Sequence, residues 1–227
     1  MKKFLSYFTP FEYSLLGISY AVLLAVFFIF GTNGIVSLLA SMIGITALIF
    51  CAKGNPTGQV LIIIFSAMYA YVSITLRYYG EAITYLGMSA PMALWALISW
   101  IRNYDKEKAE VKVGALTHAE KFLLLPTTAA VTVGFYFILR AFGTANLLPS
   151  TISIATSFIA VYLTARRSPY YALAYTLNDI VLIVLWSLAL TESLSHLSVV
   201  ICFTVFLISD IYGFICWNRM KKRQNVT

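Results

Sequence analysis

An amide and a carboxylate stand side by side in one of the most apolar stretches of this chain. The segment AYTLNDIVLIVLW, residues 174–186, places Asn178 and Asp179 among aliphatic and aromatic side chains. A charged side chain at the centre of a bilayer costs about 2.5–3.5 kcal/mol on insertion scales, so such residues face a protein interior or a ligand pathway. We therefore expect this pair to line a polar site. The alternative is that it only holds helices together through hydrogen bonds.

Aromatic residues surround this pair at helical spacing. The positions on the stripe are Tyr171, Tyr175, Asn178, Leu182 and Trp186. Asp179 lies about 100° around the helix from Asn178, at the edge of the stripe. Aromatic rings can stack or make cation–π contacts, an amide can donate and accept hydrogen bonds, and a carboxylate neutralises positive charge. The stripe predicts a site for a flat, polar ring that can carry a positive charge.

A second acid, Asp210 in SDIYGF, lies inside another apolar run. It can serve the same site, or it can be a structural group that Ser209 and Tyr212 satisfy. Two acids at a similar depth can also share a proton, which leaves proton coupling open.

The first half of the chain offers weaker candidates. Gln59 and Tyr69 lie on the helix expected to match the Asn178 helix, and Trp95 lies deep enough to face the pathway. Arg77 and Glu81 are spaced i, i+4, which predicts an ion pair at the outer surface, with a gating or entry role as the alternative.

The composition indicates that all of these residues belong to a membrane protein. The chain has 227 residues, of which 60% are hydrophobic and 11% charged, with a mean hydropathy of +0.84. A bilayer-spanning helix needs about 20 mostly apolar residues. Eight such runs are present, at 13–30, 35–52, 58–76, 83–101, 122–139, 148–165, 171–190 and 197–217. Trp100 and Trp217, at the ends of two runs, are expected in the interfacial aromatic belt.

The cations predict the orientation of the spans. With the N-terminus in the cytoplasm, every lysine and arginine except Arg77 and Arg140 falls on the cytoplasmic side. Both termini are then cytoplasmic, as are the loop 102–121 and the basic tail 218–227. The net charge of +7 is therefore a topology signal, and no nucleic-acid partner is expected.

The chain repeats itself. FGTN at 30–33 is answered by FGTA at 142–145, and AKGNP at 52–56 by ARRSP at 165–169; WIRN and WNRM, which begin at Trp100 and Trp217, follow in the same order. Each half holds four spans, an even number, so the repeat is parallel. The predicted fold is an all-α polytopic membrane protein of eight transmembrane helices. Two three-helix bundles, 35–101 and 148–217, are joined by the connecting span 122–139, with an extra N-terminal span at 13–30. Such repeats place a substrate site between the bundles, which favours a transporter.

Signals for an enzyme are weak. His118 and His196 are expected in loops on opposite sides of the membrane, so they cannot share a metal ion. The sequence contains no HExxH, P-loop or GxSxG motif. We expect no catalytic residue, no cofactor, no metal and no nucleotide-driven transport.

The segments SPYYALAYTLNDIVLIVLW and SDIYGFICWNRMKKRQ resemble the Pnu family of vitamin transporters, and YGEAI and PMALWALISW fit the same resemblance. It covers residues 30–224. It implies a SWEET-like fold of three, one and three helices in the cell membrane. The implied activity is facilitated diffusion of nicotinamide riboside, with phosphorylation inside the cell trapping the product. Relatives carry thiamine or deoxynucleosides, and the family includes trimers.

The resemblance also bears on the site. The family often has two tryptophans about seven and four residues before the binding asparagine, where this chain has Tyr171 and Ala174. Asn178 is expected to hydrogen-bond the ligand, Asp179 to meet its charge, and Tyr175 and Trp186 to stack on it. Two other classes stay open: a substrate-capture subunit that needs a partner chain, and a membrane-embedded enzyme.

Overall fold

The protein consists of eight helices that are long and apolar enough to cross a membrane. The computed structural model describes residues 7–30, 34–75, 79–144, 146–190 and 197–224. The helices are α1 Pro10–Phe30, α2 Gly34–Ala52, α3 Thr57–Thr75, α4 Tyr79–Arg102, α5 His118–Ala141, α6 Leu147–Ala165, α7 Tyr171–Ala189 and α8 Leu197–Arg223. The predicted all-α, eight-span architecture is confirmed, and the chain is a multi-pass membrane protein. Arg77, His196, residues 31–33 and residue 145 lie outside the described residues.

Three helix boundaries lie four or more residues from the predicted ones. α4 begins at Tyr79, four residues before the predicted run, and contains a π-helical turn at Tyr85–Ser89. α5 begins at His118, inside the predicted loop, because Thr117 and Glu120 form a capping box. α8 continues to Arg223, so most of the predicted basic tail is helical.

Six helices form a closed ring with approximate twofold symmetry. Within the halves, α2 packs on α3 and α3 on α4, as α6 packs on α7 and α7 on α8. Between the halves, α4 packs on α6 and α8 on α2. Each contact therefore has a counterpart in the other half, which is the arrangement that a parallel repeat produces.

Two tryptophans join the halves at the centre of the ring. Trp100 Nε1 donates to the carbonyl oxygen of Thr164 at 2.8 Å, and Trp217 Nε1 donates to the carbonyl oxygen of Cys51 at 2.8 Å. The rings lie 5.3 Å apart, and both side chains are 0% exposed. The expectation that they belong to an interfacial belt was wrong: each closes a hydrogen bond across the repeat, and burial makes such a bond costly to break.

The repeat extends to α1 and α5. Thr9 and Glu12 form a reciprocal hydrogen-bonded box at the start of α1, as Thr117 and Glu120 do at α5. Glu12 pairs with Lys53 at 3.1 Å, and Glu120 receives a 3.0 Å hydrogen bond from Arg166 Nη2. Since α1 packs on α2 and α5 on α6, the extra N-terminal helix and the connecting helix occupy corresponding places.

A small hairpin covers one end of the ring. Strands β1 (Tyr104–Asp105) and β2 (Glu110–Val111) pair antiparallel within the loop 102–121. Val111 N donates to Gly54 O at 2.9 Å and Gly114 N to Arg167 O at 3.0 Å, so the loop is fixed to the turns after α2 and α6. Two-residue strands lack the alternation that identifies strands in sequence, so the hairpin was not predicted. We call this end of the ring the hairpin side.

Candidate functional site

A cavity occupies the middle of the six-helix ring. Its empty volume is about 860 Å³, including open space at its mouth. Residues of α2, α3, α4, α6, α7 and α8 all contribute to its wall. The cavity is therefore built by both halves, at the place where the repeat predicts a substrate site.

Six of the nine sequence-predicted site residues line this cavity: Gln59, Tyr171, Tyr175, Asn178, Asp179 and Asp210. Four of them come from one face of α7, as the helical stripe predicted.

Asn178 is held by two hydroxyl groups of α6. Thr156 Oγ1 donates to Asn178 Oδ1 at 2.8 Å, and Ser157 Oγ donates to the same oxygen at 2.9 Å. Among the described residues, no acceptor takes a hydrogen bond from the Nδ2 group. The amide is thus oriented by its oxygen, which leaves two donor hydrogens for a molecule in the cavity.

The two aspartates meet across the cavity wall. Asp179 on α7 and Asp210 on α8 are both buried, and both line the cavity, where their carboxyl groups interact with each other. Two carboxyl groups that share a buried site cannot both ionise without a large cost, so we expect them to hold one proton between them and to carry one negative charge. Oδ2 of Asp179 is buried and receives no hydrogen bond from a donor group of the described residues.

Glu81 is a third acid in the cavity, contrary to its predicted place in a surface ion pair. Its side chain is 8% exposed and lines the cavity, because α4 begins at Tyr79 and carries residue 81 into the bundle. The π-helical turn follows directly and places Tyr85 and Ser89 on the same wall. The spacing of Glu81, Tyr85 and Ser89, four residues apart, is the signal that could have revealed this face.

The cavity has acids and no base. Its lining includes three carboxyl groups, of Glu81, Asp179 and Asp210, and no lysine, arginine or histidine among the described residues. Buried charges in proteins are normally paired. A cavity with unpaired negative charge and aromatic walls is suited to a cationic ring.

Hydroxyl residues of α6 were missed by the sequence analysis. Ser153, Ser157 and Thr164 line the cavity, and they recur at helical spacing along one face of α6. Because serine and threonine are common in transmembrane helices as packing residues, their pattern alone does not distinguish a site from a helix contact.

Three expected site residues lie away from the cavity lining. Tyr69 packs on Tyr85 with ring centroids 4.6 Å apart, and Trp186, 4% exposed, lies in the apolar core beyond the cavity. Trp95 is 41% exposed and packs edge-on against Tyr162, 5.8 Å away. Leu182 is the last residue of the α7 stripe that lines the cavity, and Trp186, one turn further along the helix, packs in the apolar core.

The cavity is closed toward the hairpin side. Trp100, Trp217 and Tyr171 pack edge-on or tilted on one another, with Tyr171 and Trp217 5.0 Å apart. They belong to one buried apolar cluster that also contains Val111 of the hairpin. A ligand in the cavity can pass to this side only if the tryptophan pair separates.

A ring of helices that consists of two parallel repeats around a polar cavity is the arrangement of one class of membrane transporters. A sequence profile described as "Nicotinamide mononucleotide transporter" matches residues 34–219, and the chain belongs to that family.

Named relatives and a solved structure agree with this family. The chain is 27% identical over 207 residues to the nicotinamide riboside transporter PnuC of Neisseria mucosa, covering 88% of this chain and 78% of the relative. It is 23% identical over 192 residues to PnuC of Haemophilus influenzae, covering 83% and 81%. A crystal structure of the vitamin B3 transporter PnuC superposes with a TM-score of 0.80 at 24% identity, covering 96% of this chain and 94% of the other, which confirms the fold.

Proposed function

We propose that this chain carries nicotinamide riboside across the cell membrane by facilitated diffusion, with phosphorylation inside the cell trapping the product. The observation that carries the proposal is the charge of the cavity, which has three carboxyl groups and no basic residue among its described lining. Nicotinamide riboside combines a permanently positive pyridinium ring with a neutral, hydroxyl-rich sugar. The names of the two relatives support the same substrate.

Each part of such a ligand has a counterpart in the cavity. The Asp179–Asp210 pair and Glu81 neutralise the ring charge, while Tyr171 and Tyr175 offer aromatic faces. Asn178 donates to the carboxamide or the ribose. Gln59, whose Nε2 group contacts Cys51 Sγ at 3.4 Å, keeps its amide oxygen as an acceptor for ribose hydroxyls.

The orientation follows from the cations. Lys53, Arg166 and the basic end of α8 all lie on the hairpin side. The positive-inside rule makes this side cytoplasmic, with both chain termini there. The tryptophan pair then closes the cavity toward the cytoplasm.

The same cavity discriminates against phosphate, although the family is named after the mononucleotide. Nicotinamide mononucleotide adds a group with a charge near −2, which would be buried beside carboxylates without a cation. We expect liposomes containing the purified chain to take up nicotinamide mononucleotide at least about 100-fold more slowly than nicotinamide riboside.

Labelled uptake into these liposomes, with protein-free liposomes as the control, tests this expectation. Equal uptake of both compounds would contradict the charge argument. Preferred uptake of thiamine, which also carries a cationic ring, would show that the substrate is a different vitamin. Binding of nicotinamide riboside without uptake would identify a capture subunit instead of a transporter.

A further inference from the structure

A second cavity on the hairpin side is rich in basic residues. It lies between the start of α1, the turn after α2, the hairpin and the end of α8, with an empty volume of about 750 Å³ including its open mouth. Its charged lining residues are Glu12, Lys53, Lys108, Glu110, Arg219 and Arg223. We call it the basic cleft. None of its described residues lines the transport cavity, which lies beyond the tryptophan pair.

Both carboxylates of the basic cleft are already neutralised. Glu12 pairs with Lys53 at 3.1 Å and accepts a 3.0 Å hydrogen bond from Tyr212 Oη. Glu110 forms an ion pair with Arg223 and accepts a 3.0 Å hydrogen bond from Gln224 Nε2. The charges of the Glu12–Lys53 pair and of the Glu110–Arg223 pair therefore cancel.

Two cations of the basic cleft remain. Lys108 and Arg219 form no ion pair with any described carboxylate, so four basic and two acidic lining residues leave the cleft with an excess charge of +2. Lys108 comes from the hairpin and Arg219 from α8, so the excess charge lies on two separate elements that converge on one cavity. Arginine and lysine together are the usual partners of phosphate oxygens.

The hydroxyl group of Tyr7 is a neutral donor in the lining of the basic cleft. The Lys53 ammonium group lies 4.8 Å from the ring centroid of Tyr7, and Tyr7 Oη accepts a 2.9 Å hydrogen bond from Asn55 Nδ2. Burial raises the pKa of Tyr7, so its hydroxyl keeps its proton and can donate. Phe11, 56% exposed, packs on the Tyr212 ring at 5.0 Å and gives the cleft an apolar edge.

From this arrangement we infer that the basic cleft binds a phosphate group, held between Lys108 of the hairpin and Arg219 of α8. The phosphate can belong to the headgroup of an anionic phospholipid, whose acyl chain would lie along Phe11, or to a soluble phosphomonoester. Binding would tie the hairpin to α8 on the side where the transport cavity must open, and so would stabilise the closed state.

Thermal unfolding of the full chain tests the inference for both sources of the phosphate group, the soluble phosphomonoester and the lipid headgroup. The first arm adds glycerol phosphate to protein in nanodiscs of phosphatidylcholine. The second compares phosphatidylcholine nanodiscs with nanodiscs that contain phosphatidylglycerol. A rise in the unfolding midpoint in the first arm identifies a soluble phosphomonoester, and a rise in the second arm alone identifies a lipid headgroup.

Matched variants separate a cleft from general surface charge. Lys108→Gln/Arg219→Gln removes two cations from the cleft, whereas Arg102→Gln/Lys121→Gln removes two exposed cations elsewhere on the chain. We expect the cleft variant to need about tenfold more of the stabilising probe and the control variant to behave like the wild type. No rise with either probe, or an equal loss in both variants, would overturn the inference.

Discussion

Replacing Asp179 and Asp210 together with asparagine is expected to reduce nicotinamide riboside uptake about 10- to 100-fold, whereas either single replacement reduces it only slightly. We expect the two neighbouring carboxyl groups to share one proton in a hydrogen bond and to carry one negative charge. In a single variant the new amide donates to the remaining carboxylate, so the charge and the hydrogen bond are both kept. The double variant loses the charge, and a charge-assisted interaction contributes about 1.5–3 kcal/mol.

Initial rates of labelled uptake into liposomes measure this effect, and thermal unfolding shows whether each variant folds. Two amides can hydrogen-bond each other, so the double variant is expected to fold. Full uptake by the double variant would make the pair structural. A loss in either single variant as large as in the double variant would show that the two aspartates do not share one proton.

The second large effect is expected at Asn178. Asn178→Ala removes the donors that point into the cavity and leaves the Thr156 and Ser157 hydroxyls without their shared acceptor. Loss of the donors to the ligand, together with a half-buried Ser157 hydroxyl that loses its acceptor, costs about 1–3 kcal/mol, so uptake at low substrate concentration is expected to fall about 5- to 100-fold.

A variant of α6 tests whether the orientation of the Asn178 amide matters for uptake. Thr156→Val/Ser157→Ala keeps the amide but removes the two groups that orient it, so a smaller loss is expected. Thr151→Val serves as the matched control, because Thr151 Oγ1 bonds only to Leu147 O of its own helix among the described residues. Unchanged uptake in Asn178→Ala would assign the asparagine to helix packing.

Hydropathy and the repeat predicted the eight spans and the place of the cavity, because both depend on patterns many residues long. The repeat also predicted that Trp100 and Trp217 correspond. It did not predict that they meet on the symmetry axis, since a tryptophan at a span end is equally typical of a lipid interface. The burial of both rings and their hydrogen bonds to Thr164 and Cys51 distinguish the two cases.

The lining of the cavity was predicted where one helix contributes it and missed where several helices meet. The face of α7 follows from helical spacing, so the sequence predicted that Tyr175, Asn178 and Asp179 lie together, and all three line the cavity. Glu81 was misplaced because the sequence offered Arg77 as a partner, and the earlier start of α4 was not visible in the hydropathy. Trp186 continues the α7 stripe, but the stripe passes from the cavity into the core, a change that depends on the neighbouring helices.

The central claim is that the acidic cavity recognises the positive charge of the nicotinamide ring. The most direct test is binding of nicotinamide riboside and of dihydronicotinamide riboside, its reduced and uncharged form, to the purified wild-type chain by calorimetry. The two compounds have the same sugar and carboxamide and differ in ring charge and planarity. We expect the cationic form to bind at least about tenfold more tightly, which corresponds to one charge-assisted interaction. Equal affinity for the two forms would contradict the claim.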